Sequence, residues 1–135
     1  VDTLVVDKTG TLTVGKPKLV TVQPLGGLQE TDLLALTSSL ELLSEHPLAA
    51  AIVAGASARG VKTSQVEDFQ SITGKGASGI VNGKAVAVGN KALMTELSIN
   101  LNEVQDKVDA LRSEGQTVMF VSIDKTLAGF IGVMD

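Results

Sequence analysis

Gly79-Ile80-Val81-Asn82-Gly83-Lys84-Ala85-Val86-Ala87-Val88 is the clearest architectural signal in the chain. Asn82-Gly83 offers two residues that tolerate positive φ, as a two-residue hairpin turn requires, and apolar runs flank it on both sides. The chain is therefore expected to double back here in antiparallel strands, within a longer stretch, residues 66–89, that reads as short strands throughout. Downstream, a brief helix is expected after Asn90. Asn102 is expected to cap another, which runs to Glu114-Gly115 with Val104, Val108 and Leu111 inside. Residues 117–123 and 127–133 then read as a last hairpin across Asp124-Lys125.

Upstream, residues 18–22 (Lys-Leu-Val-Thr-Val) alternate as a half-buried strand does, and Gly26-Gly27 marks a turn. Thr31 reads as an N-cap, followed by Leu33, Leu36, Leu40 and Leu43 at helical spacing. A second helix is expected to start at Pro47, where the missing N–H costs nothing, and to end at Gly60 with Leu48, Ile52 and Ala56 inward. Helices grouped in this way, and not alternating with each strand, predict an α/β (α+β) fold: a mostly antiparallel sheet of about six strands flanked by helices.

The chain has 135 residues, 44% hydrophobic and 19% charged, enough for one packed core and too apolar for wholesale disorder. A formal net charge of −4 with interspersed signs leaves no basic stripe for a phosphate backbone. With aromatics at 2% there is no stacking platform either, so nucleic acid is not an expected partner. Any stacking on a flat ligand falls to a Phe or to the single histidine. The absence of cysteine excludes disulfides and thiolate metal sites. No run of about 18 apolar residues occurs that would span a bilayer. The opening residues Val1-Asp2-Thr3-Leu4-Val5-Val6 read as part of a buried strand, and the closing residues Phe130-Ile131-Gly132-Val133-Met134-Asp135 as the end of another. Both ends look cut, as expected of a piece of a larger protein.

Asp7-Lys8-Thr9-Gly10-Thr11-Leu12-Thr13 carries the most chemistry. A carboxylate at the end of a buried strand, followed by a Gly/Thr loop, suits an aspartyl nucleophile whose phosphate is surrounded by N–H groups and hydroxyls. Enzymes that quickly hydrolyse such an aspartyl phosphate commonly keep a second acid two residues on. Here Thr9 stands in that place, so the intermediate is expected to persist. These seven residues resemble the phosphorylation motif of P-type ATPases. Ser44-Glu45-His46-Pro47-Leu48-Ala49 is in isolation a helix–helix corner, and resembles the signature of the heavy-metal branch of that family.

The resemblance implies that His46 orients the adenine of ATP and that Glu41 lies near its amino group. It also implies that Gly74 and Gly76, either side of Lys75, let backbone approach the nucleotide, and that Gly89 and Asn90 line the same site. For Asn90 a helix cap is an equally good reading. Ala77 departs from the family's larger aliphatic residue, which would loosen the adenine wall. Asp7 would be the phosphorylated aspartate, aided by Lys8 and Thr9, with Asp7 and Thr9 on Mg²⁺ in the complete enzyme.

The domain division that follows is 1–16 as a stub of a haloacid-dehalogenase-like phosphorylation domain, 17–128 as the nucleotide-binding domain, and 129–135 as a return stub. A downstream lysine and an Asp-rich Mg²⁺ loop are missing, so ATP binding with negligible turnover is expected. Affinity is expected on the order of 0.1–1 mM, roughly −4 to −5.5 kcal/mol. In the parent, the resemblance implies γ-phosphate delivery to Asp7, driving export of a metal. Cu⁺ is favoured by Glu45 before His46. Implied partners are ATP and the remaining phosphorylation, actuator and membrane domains, with this piece monomeric, on the cytosolic side, and not itself touching the membrane. Two rivals remain at this point: a haloacid-dehalogenase-like phosphatase, which Thr9 argues against, and a non-catalytic interaction module.

Overall fold

A computed structural model describes residues 17–44 and 48–134. The expectations placed on Asp7, Lys8, Thr9, His46 and Pro47 lie outside those residues. In chain order the elements are β1 (Lys18–Pro24), α1 (Glu30–Glu41), α2 (Ala49–Ala58), β2 (Val66–Ile72), β3 (Gly76–Val81), β4 (Lys84–Gly89), α3 (Lys91–Glu96), α4 (Gln105–Ser113), β5 (Thr117–Ile123) and β6 (Thr126–Met134). The strands form one six-stranded sheet in the order β1-β6-β5-β4-β3-β2. Every neighbouring pair is antiparallel, as the grouping of helices predicts.

The period-two pattern of the central strands feeds two cores. Val86, Val88, Met119, Val121, Ile131 and Val133 point to one face and are covered by α1 and α2 through Leu33, Leu36, Leu40, Ile52 and Ala56. Ala87, Phe120 and Phe130 point to the other and meet Leu93, Met94, Val104 and Val108 of the α3–α4 region. α1 lies close upon β3 because Gly79 has no side chain: a Cβ there would stand 2.9 Å from Leu40 Cδ2 and 2.7 Å from Val66 Cγ1.

Both short hairpins use the expected turns. Asn82 and Gly83 have φ of 52° and 78°, and Asp124 and Lys125 have φ of 51° and 64°, the mirror-image geometry that matches strand twist. Asp124 Oδ1 also accepts from Ala85 N at 3.1 Å, fastening the second turn to β4.

Three local expectations need correction. Thr31 lies within the first turn of α1, whose N-cap position is Gln29 without a side-chain bond. Asn102 likewise precedes the cap of α4, which is Val104, so a good capping residue nearby did not set the start. Leu43 falls beyond α1 and is 49% exposed, because the helix ends at Glu41 before a fourth inward position is reached. β6 stays paired with β1 as far as Met134, with Phe130, Ile131 and Val133 buried.

Candidate functional site

The last residue of α1, Glu41, follows the buried Leu40 and is drawn inward with it, leaving the residue 3% exposed. Its Oε2 has no hydrogen-bond partner among the described residues. Removal from water penalises the charged form and pushes the Glu41 pKa up to about 7. A buried acid left short of partners is costly to a fold and is more readily explained by a ligand than by packing.

Across from it stands the turn between β2 and β3. Lys75 N donates to Ile72 O at 2.9 Å, closing the turn, and Gly74 adopts φ +73° with open space where a side chain would be. The second glycine has a different reason. Gly76 and Gly89 are directly paired across β3 and β4, and a Cβ on Gly76 would overlap Val88 O while one on Gly89 would overlap Lys75 O. These two glycines permit backbone to approach backbone. Gly89 is buried beneath the turn and supports the wall without itself lining the cleft.

Asn90 ties this assembly together. Its Oδ1 accepts from Leu93 N at 3.1 Å as the N-cap of α3, its Nδ2 donates to Gly74 O at 2.9 Å, and its backbone N donates to Lys75 O at 2.9 Å. The capping reading is therefore correct, and the same side chain also holds the glycine turn, which the sequence alone did not suggest.

Between these walls is a cleft of about 360 Å³. Glu41, Gly74, Gly76 and Asn90 line it, so four of the residues singled out from sequence come together, joined by Lys75 and Ala77. Ala77 is 3% exposed, and its small side chain leaves room at the apolar wall. Ser44 and Leu48, from the helix–helix corner quoted above, line it as well. Residues not anticipated are Ser71, Ile72, Thr73, Thr117, Val118 and Met119, which are brought in by strand register and by the β2–β3 turn, and nothing in their local sequence marks them. None of the three Phe side chains lines the cleft, so the described walls offer no ring for stacking. Lys75 Nζ forms an ion pair with Glu96 at the end of α3.

Among the described residues no group of His, Cys, Asp and Glu could hold a metal ion, and no step is assigned to Mg²⁺ here. Nor is any helix of the described residues long and apolar enough to cross a membrane.

A family model for haloacid dehalogenase-like hydrolases matches residues 1–135. A copper-transporting P-type ATPase of Rhizobium leguminosarum bv. viciae is 52% identical over 134 residues, which is 99% of this chain and 16% of the relative. This chain thus spans about one-sixth of that relative's length. Among solved structures, a zinc-transporting PIB-type ATPase in the E2.Pi state superposes with a TM-score of 0.81 at 30% identity, covering 90% of this chain and 19% of that one. The N-domain of HMA6, a copper-transporting P-type ATPase, gives a TM-score of 0.72 at 29% identity and covers 88% of this chain and 99% of that one.

Proposed function

Since the chain belongs to the haloacid dehalogenase-like hydrolase family, in its heavy-metal P-type ATPase branch, we propose that the cleft between Glu41 and the Gly74-Lys75-Gly76 turn holds ATP. The observation that carries this reading is the buried Glu41 carboxyl, short of a partner, lining the same cleft as an open glycine turn. The Glu41 end takes the adenine. A single buried polar group there can fix the orientation of the base by hydrogen bonding. His46 is assigned to the same end. The Gly74 end takes ribose and phosphates, where the glycine turn leaves open space and one lysine supplies positive charge.

In the parent protein, residues 17–128 act as the nucleotide-holding unit on the cytosolic side. Asp7, with Lys8 and Thr9, is the acceptor of the γ-phosphate, and aspartyl-phosphate formation drives metal export with Cu⁺ as the cargo. Mg²⁺ would be held at Asp7 and Thr9 together with groups beyond this chain. The chain alone binds ATP weakly, as a monomer, with negligible turnover.

The test is an ATP titration followed by backbone NMR. Shifts are expected to cluster at Glu41, His46, Gly74, Gly76 and Asn90, and His46→Gln is expected to weaken binding about tenfold while the spectrum stays folded. An unchanged affinity in that variant, or shifts gathered elsewhere, overturns the assignment.

A further inference from the structure

The Lys75–Glu96 pair is not used by the reading above. Lys75 is fixed by its backbone on both sides, through its N–H to Ile72 O and its carbonyl to Asn90 N, each at 2.9 Å. Only its side chain can travel. That side chain is 36% exposed, its partner Glu96 is 54% exposed, and the pair spans from the glycine turn to the end of α3. Among the described residues lining the cleft, Lys75 is the single cationic side chain, and the other ionisable one is Glu41, whose burial opposes its charged form. An exposed ion pair is weak, and a ligand bearing several negative charges outcompetes one carboxylate for the ammonium.

We propose that Glu96 is the counter-charge that draws Lys75 off the cleft, so that this pair sets how strongly the site prefers ligands with more phosphates. The proposal rests on the nucleotide reading and adds a specificity device to it. Lys75 exchanges one anionic partner for another when a polyphosphate enters, and the affinity for ATP is lowered by the strength of the contact it gives up. Adenosine, having no phosphate, leaves the pair intact.

The experiment is an NMR titration of the 135-residue chain with adenosine, ADP and ATP in EDTA, at low and high salt. Glu96→Gln is expected to tighten ATP by roughly two- to fivefold, ADP by less, and adenosine not at all, with the gain shrinking at high salt. Lys75→Gln is expected to weaken ATP while leaving adenosine unchanged, and adding Glu96→Gln to it is expected to have no further effect. A Glu96→Gln chain whose ATP-to-adenosine ratio equals that of the unaltered chain overturns the role of the pair. So does an equal change for both ligands, which would mean the pair only shapes the turn. If the unaltered chain binds neither adenosine nor ATP, the nucleotide reading falls and this proposal with it. Binding of both with an unmoved ratio removes the pair's role alone.

Discussion

The two walls of the cleft are held by opposite means. On the α1 side, Glu41 is fixed by volume: Leu33, Leu34, Leu36 and Leu40 are buried against the sheet and carry the carboxyl inward with them. On the turn side, little is packed at the tip. The shape comes from hydrogen bonds, three of them involving Asn90, and from two glycines stacked across a strand pair. A packed wall tolerates small changes of backbone and punishes changes of polarity. A wall built from backbone contacts does the reverse, and the variants below are chosen to break one rule at a time.

Gly76→Val should give the largest effect. The new side chain must overlap Val88 O at a φ of +154°, so β3 and β4 have to part, and a loss of about 4 kcal/mol is expected in urea unfolding. Retained stability would mean that the glycine pair is not close-set.

Glu41 tests the opposite wall. Its folded pKa, about 7, lies above the ordinary 4.5, so the folded state holds a proton that the unfolded state releases. The sign follows: the contribution is fully present below about pH 4.5 and is lost as pH rises through about 7. Relative to Glu41→Gln, which does not titrate, the unaltered chain should lose about 3 kcal/mol of stability between those two pH values. Parallel stability profiles for the two chains would show that the carboxyl is not buried uncharged.

Asn90→Ala should have the smallest effect of the three, about 1 kcal/mol of stability from the lost cap. Because Nδ2 also holds Gly74 O, the same variant should broaden the amide signals of residues 73–76, whereas Asn90→Asp, which keeps the cap acceptor but not the donor, should restore stability without restoring the turn. Sharp turn signals in both variants would separate the cap from the cleft.

What was legible in the sequence follows the same division. Asn82-Gly83, Asp124-Lys125 and the Asn90 cap were readable because their chemistry is local: the residue's own φ tolerance or side-chain reach decides the geometry. Thr31 and Asn102 misled because capping residues compete, and the start of each helix was set by how its apolar face meets the sheet. The partnership of Gly76 with Gly89 depends on the register of β3 against β4, which no local pattern encodes. Glu41 was picked out by resemblance alone. Its burial, the property that makes it interesting chemically, depends on how deeply the end of α1 is set against the sheet, and a carboxylate at the end of a helix otherwise reads as solvated.

The pairing of Lys18 with Met134 places the first residue of β1 beside the penultimate residue of the chain, at one corner of the sheet. That corner adjoins the cleft, because Thr117, which lines it, is paired with Val133 of β6, so a displacement of the β1–β6 edge there reaches the cleft floor one strand away.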